Sequence, residues 1–238
     1  VVAAVFGAVA IGLPDATVPN TENPAQNTAS IESQVVETSV RVATDWGVGT
    51  GTVLRVGDEI LILTAGHVVS ELVEEWNVIR IGETGPVEVP ARRPKASITA
   101  RDGRNTVAVV VWYAEEPDLA LLRPDSARGL NPARLAQKKA DLGTTVWVCG
   151  QGDGLPWNLT RSSVNQYRDD DQTLVIGAAE IWFGHSGSGV FALENGQWSL
   201  VGVVSRAWNH PAKSPRTPTL CEAGVLDFLR EYSEKGKK

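Results

Sequence analysis

What most constrains the fold of this chain is a succession of short β-branched runs, each closed off by Gly, Pro, Asp or Asn. From Val35 onward the runs are Ser39–Ala43, Gly51–Val56, Ile60–Thr64, Val78–Ile81, Ser97–Ala100, Thr106–Tyr113 and Leu119–Leu122. Most have the length of strands and are too short for helices. A polar stretch, Asn131–Gly143, separates them from a second set: Thr144–Cys149, Asn158–Gln166, Leu174–Ala178, Gly189–Leu193 and Leu200–Ser205. Arg168–Gln172 reads as a charged hairpin link. In Cys221–Tyr232 the residues Val225, Leu226, Phe228, Leu229 and Tyr232 recur at helical spacing, which predicts an amphipathic helix. With no βαβ alternation, the pattern predicts an all-β fold of two packed six-stranded antiparallel barrels and a C-terminal helix. Barrel 1 is placed at about 35–125, barrel 2 at about 140–220, the helix at 221–232 and a frayed tail at 233–238.

The 238 residues suffice for one large all-β domain or two small ones, and 42% hydrophobic content allows a sizeable core. A net charge of −6 with no Lys/Arg run argues against nucleic acid as a partner, because phosphate binding needs clustered positive charge. Cys149 and Cys221 are too few for a disulfide framework or a four-cysteine zinc site; one bridge or two buried thiols both remain open, the thiols favoured. With no cluster of His, Cys and carboxylates, no metal or other cofactor is expected.

Methionine is absent even at position 1, which suggests a start downstream of an initiator through trimming, processing or excision from a longer product. Residues 1–13 are uniformly apolar, shorter than the roughly 20 needed to span a bilayer. They read as a signal or membrane-anchor remnant, with Ala8-Val9-Ala10 resembling a small-residue cleavage site, or as an arm packed on the domain. An exported or membrane-tethered location is therefore expected. Residues 14–34, rich in Pro, Asn and Thr and free of Lys and Arg, read as an exposed linker.

Three segments carry candidate chemistry. His67 follows the apolar strand Ile60–Leu63 through Thr64-Ala65-Gly66, so that a rigid core would hold an imidazole at a strand end. Asp118 opens Asp-Leu-Ala-Leu-Leu at the entrance to a buried strand, where a charge needs a partner. Ser186 lies in Gly184-His185-Ser186-Gly187-Ser188-Gly189, where glycines let the backbone turn sharply and let amides converge on one point. A serine nucleophile needs a histidine base, a carboxylate to orient it and N–H donors for the oxyanion. Ser188 is the rival nucleophile, ranked lower because no glycine stands two positions before it.

Thr64-Ala65-Gly66-His67, Asp118-Leu119-Ala120-Leu121-Leu122 and Gly184-His185-Ser186-Gly187 together resemble the three signatures of trypsin-like (chymotrypsin-fold) serine peptidases, in family order. Gly49-Thr50-Gly51-Thr52-Val53-Leu54 resembles the corresponding strand of the bacterial high-temperature-requirement, or Deg-type, branch. Val201-Gly202-Val203-Val204-Ser205 resembles the strand that lines the substrate cleft, with Ser205 nineteen positions after Ser186. The resemblance spans roughly 35–232 and implies a His67, Asp118, Ser186 triad, with the N–H groups of Gly184 and Ser186 forming the oxyanion hole. It also implies that Ser205 approaches Asp118 and that its strand pairs with the substrate backbone. Ser188 stands where the family has a second glycine, His185 replaces the usual Asp or Asn, and Gly66 replaces a common Ala. No segment long enough for a PDZ domain follows Tyr232, so the full Deg-type architecture is not expected.

The resemblance places the substrate-binding pocket at Glu180, Trp182 and Phe183, at Ser205, Arg206 and Ala207, and at the loop near Ser214–Pro218. Glu180 in such a pocket would favour a substrate Lys or Arg, whereas Trp182 and Phe183 would shape an apolar one, and the apolar reading is favoured. The function implied is hydrolysis of peptide bonds in a polypeptide substrate through an acyl-enzyme. The alternatives are a viral or phage polyprotein-processing protease and a non-catalytic binding module on the same scaffold.

Overall fold

The computed structural model describes residues 31–73, 95–168, 172–177, 181–207 and 218–235. The expected apolar segment 1–13, most of the linker and the expected strand Val78–Ile81 lie outside them, as does the tail beyond residue 235.

The first six strands are β1 (Ser39–Ala43), β2 (Val48–Val56), β3 (Glu59–Thr64), β4 (Ala96–Ala100), β5 (Asn105–Ala114) and β6 (Leu119–Pro124). They close into a barrel in the order β1-β2-β3-β6-β5-β4, every pairing antiparallel. Side chains alternate across a strand. One face of this barrel therefore sends Val40, Val42, Val53, Ile62 and Ile98 inward, and the other sends Leu54, Leu61, Leu63, Leu119 and Leu121 outward into a second core. This is why Ile60–Leu63 is a continuous apolar run: β3 is buried on both faces along that stretch.

The second half holds β7 (Arg134–Leu135), β8 (Thr145–Gly150), β9 (Asn158–Arg168), β10 (Thr173–Ile176), β11 (Gly189–Glu194), β12 (Gln197–Ala207) and β13 (Thr219–Glu222). Six of these form the ring β11-β8-β9-β10-β13-β12, closed by the β11–β12 pairing, while β7 adds a short parallel ladder on β12. The helix α1 (Val225–Lys235) follows.

The outward face of barrel 1 meets Cys149, Phe191, Leu200 and Val203 of barrel 2, together with Val225, Phe228, Leu229 and Tyr232 of α1. A polar clasp seals the edge: Tyr232 Oη donates to Glu59 Oε2 at 2.8 Å, and Arg123 Nη2 lies 2.9 Å from Glu59 Oε1. Cys149 and Cys221 are buried free thiols; burial pushes Cys149 up to about 11 and Cys221 higher still, so neither is a thiolate at neutral pH.

Three boundaries differ from expectation. The helix begins at Val225 rather than residue 221, because Thr219–Glu222 is taken up as a strand between β10 and β12. Arg134–Leu135, within the stretch read as a polar connection, joins the sheet. The end of the expected linker is packed: Ile31 is buried with Val35 and Val36 around the π-helical turn Glu32–Val36, and Gln34 Oε1 accepts the Trp198 N–H at 2.8 Å.

Candidate active site between the barrels

His67 sits in a single 3-10 turn, Gly66–Val68, directly after β3. Asp118 stands one residue before β6, which pairs with β3, so two hydrogen-bonded strands deliver the two side chains to the same end of barrel 1. The carboxylate holds the histidine twice: His67 N–H donates to Oδ1 at 2.8 Å, and ring Nδ1 lies 2.7 Å from Oδ2. Ser205 Oγ donates to the same Oδ2 at 2.6 Å. Ser205 falls where the β12–β13 register shifts between Val204 and Arg206, and a bulge of that kind re-aims a side chain.

Burial alone pushes the Asp118 carboxyl up. Hydrogen bonds from the His67 ring and Ser205, the charge of His67 and the His67 N–H together outweigh it and hold the group below the usual carboxylate range. An ionised carboxylate only accepts, so the Nδ1 facing it carries a proton, and in the neutral form of the ring Nε2 holds the lone pair. Asp118 is largely buried (15% exposed) and His67 half open to solvent (49%).

The loop of residues 181–188 brings Ser186 to this point from barrel 2. A side chain on Gly187 would stand 2.0 Å from the Thr50 carbonyl and 3.0 Å from the Ala65 amide, so the residue after Ser186 lies against the strand end that leads into His67. One on Gly49 would meet both Val68 and the Ser186 carbonyl. Gly184 and Gly187 have φ of +96° and +86°, conformations that favour glycine, and both are hemmed in by backbone oxygens. The N–H groups of His185, Gly187 and Ser188 are committed to Trp182, Val204 and His185 carbonyls, respectively. Those of Gly184 and Ser186 have no acceptor among the described residues. Ser186 is partly exposed, whereas the rival Ser188 is fully buried and cannot meet a substrate. Ser186 Oγ makes no hydrogen bond with the imidazole among the described residues.

Of the expected pocket residues, Trp182 and Phe183 stand at the surface, 43% and 76% exposed, and Arg206 is exposed. Ala207 is placed by its backbone pairing with Thr219. Glu180 and residues 214–217 lie outside the described residues. Sequence reasoning missed what supports the loop. The His185 ring is fully buried, and a methyl on Gly150 would come within 2.9 Å of it and one on Gly152 within 2.0 Å. Burial lowers the basicity of His185 below that of an ordinary histidine, and the Trp182 backbone offsets this only in part. The spacing Gly150-Gln151-Gly152 after an apolar strand was the available signal that something large passes there. Gly66 is explained too: a methyl would crowd Asp118 Oδ1 at 2.9 Å.

Two barrels with a histidine–carboxylate pair at one end of the first and a glycine-bounded serine on a loop packed against the strand end before the histidine have the form of a trypsin-like serine peptidase. The trypsin-like peptidase domain matches residues 49–203, and the chain belongs to that family. Among solved structures, the serine endoprotease from Yersinia pestis is 18% identical with a TM-score of 0.63, covering 87% of this chain; this chain spans 65% of that one. Rv3671c from M. tuberculosis H37Rv, solved as a mutant in its inactive form, is 21% identical with a TM-score of 0.63, covering 90% of this chain and 95% of that one. No curated protein matches the chain in sequence.

Proposed function

We propose that this serine endopeptidase cleaves peptide bonds through an acyl-enzyme, with Ser186 as nucleophile, His67 as base and acid, and Asp118 as the orienting carboxylate. The observation that carries the reading is the double grip of Asp118 on the backbone and ring of His67, beneath the loop of Ser186. Ser186 Oγ attacks the scissile carbonyl as its proton passes to His67 Nε2, and the oxyanion is held by the N–H groups of Gly184 and Ser186. The imidazolium returns the proton to the leaving amine, the C–N bond breaks, and an ester to Ser186 remains. Water, deprotonated by the same Nε2, then attacks the ester; the C–Oγ bond breaks, the imidazolium returns its proton to Ser186 Oγ, and the acid product leaves. Beyond Val204 the edge of β12 opposite β13 has no strand partner among the described residues, and an extended polypeptide added there would present its bond to Ser186.

A fluorophosphonate probe tests this. Covalent labelling of the wild type and none of Ser186→Ala is expected, with turnover of a peptide library following the same pattern. A folded wild type that neither labels nor cleaves would dismiss the enzyme reading in favour of a binding module.

A further inference from the structure

Thr50 belongs to β2 of barrel 1 and is fully buried, yet its polar atoms serve the loop of barrel 2. Its N–H donates to the Ser186 carbonyl at 2.8 Å and its hydroxyl donates to the Gly184 carbonyl at 2.7 Å. The same hydroxyl accepts the Gln151 N–H at 3.1 Å, and the Thr50 carbonyl accepts Thr64 Oγ1 at 2.7 Å. One residue thus ties the loop to the strand end that carries His67.

The consequence lies in where the peptide planes point. A trans peptide sends its C=O and N–H in opposite directions. The carbonyls of Gly184, His185 and Ser186 are drawn inward, the first and third by Thr50 and the second by the Ser188 N–H at 2.9 Å. Turning the His185 carbonyl inward sends the Ser186 N–H toward the cleft. Gly184, at φ +96°, is the residue with the widest conformational choice in the segment, and its carbonyl is pinned by the Thr50 hydroxyl. That peptide carries the His185 N–H and lies between the two planes that carry the Gly184 and Ser186 N–H groups, so without that donor the plane joining them loses its side-chain anchor.

We propose that Thr50 is a positioning residue, whose hydroxyl holds the Gly184–His185 peptide, the plane that joins the two carrying the oxyanion donors and so sets how they lie relative to each other. This rests on the oxyanion assignment above. It places the effect of Thr50 on the transition state rather than on substrate binding, since Thr50 itself is buried away from the substrate.

The test is a series at position 50, assayed for peptide turnover, fluorophosphonate labelling and affinity for a peptide boronate. Thr50→Val keeps shape and N–H but loses the donor. Removal of one oxyanion donor costs about 10²–10³ in kcat. A misaimed donor is therefore expected to lower kcat about 10–100-fold while KM moves less than about 3-fold. Boronate affinity should fall in parallel with kcat/KM. Thr50→Ser should recover most of the loss, and Thr50→Ala should resemble Thr50→Val; if Val does not fold, the Ser and Ala pair carries the comparison. A fully active Thr50→Val or Thr50→Ala, or a Thr50→Ser as slow as either, would overturn the role of the hydroxyl while leaving the peptidase reading intact. A wild type inert to probe and substrate would overturn that reading and this inference together.

Discussion

Gly152→Ala should disable the site from the side remote from substrate. Position 152 opens the 3-10 turn Gly152–Gly154, and its φ is not positive, so alanine meets no backbone penalty and would slightly restrict the unfolded chain. The effect is therefore steric. The new methyl would stand 2.0 Å from Cε1 of His185 and 2.6 Å from Nδ1, where ordinary contact begins at 3.4 Å, so the ring must recede by at least 1.4 Å. It has nowhere to go: it is fully buried, and the backbone of Gly150 closes in near Cδ2. The strain passes to the backbone of residue 185, one peptide from the nucleophile. Overpacking of this size costs about 1–3 kcal/mol, which in a chain this long lowers Tm by about 2–12 °C. A shift of about 1 Å at the reacting atoms costs on the order of 10²-fold in turnover.

The assay is a double-mutant cycle with His185→Ala, which vacates the space. Gly152→Ala is expected to be harmful alone and nearly silent in the His185→Ala background, with a coupling of about 1–3 kcal/mol in stability. Equal penalties in both backgrounds, or a wild-type Tm and kcat for the single mutant, would refute the idea that His185 props the nucleophile loop.

Two further outcomes follow from the same geometry. Ser205→Ala removes a hydrogen bond that helps hold the Asp118 carboxyl low, and a bond to a charged group is worth about 1.5–3 kcal/mol. Because the folded pKa of Asp118 is depressed, its contribution is present above the unfolded value and lost as pH falls through the folded one. The Tm deficit of Ser205→Ala should thus be full near neutrality and shrink in acid, and a deficit independent of pH would contradict the assignment. Tyr232→Phe deletes the hydroxyl that clasps Glu59 and meets Arg123, and should lower Tm by about 2–4 °C with kcat/KM unchanged; a large loss of activity would show that the clasp reaches the cleft.

How far the sequence could be read depended on whether a residue's partner was local. The double barrel was legible because β-branched runs and turn residues encode strands within a few positions, and because β3, buried on both faces, betrays itself as an unbroken apolar run. Cys221 and Glu222 were absorbed into the helix because only β10 and β12, about 45 and 15 residues upstream, make Thr219–Glu222 a strand. Ile31, Val35 and Val36 have one-turn helical spacing but sit at the end of a polar stretch, and only the shared core with Phe228 and Trp198 reveals them as packed. At the site, His67, Asp118 and Ser186 stood out because their flanking motifs are distinctive. Thr50 and His185 did not, since each acts through partners distant in sequence, Thr50 across the two barrels and His185 against Gly150 and Gly152.

The packing of His185 against Gly150 and Gly152 also accounts for a histidine at a position where the resemblance in sequence implied Asp or Asn. A carboxylate at position 185 would be wholly buried, and a buried anion is tolerated only beside a cation. An imidazole can occupy the space uncharged, and burial biases it toward that form. Its bulk is matched by missing side chains at Gly150 and Gly152, so the loop is propped by shape rather than by charge. The remaining ties on the segment are neutral as well: the Thr50 hydroxyl and N–H, and the Gly187 N–H on the Val204 carbonyl at 2.8 Å. Such a support gains little from Coulomb attraction and is hardly weakened by salt, but it tolerates almost no change in volume. The glycines around Ser186 and the pair that cradles His185 are two halves of one steric fit, and the position of Ser186 rests on both.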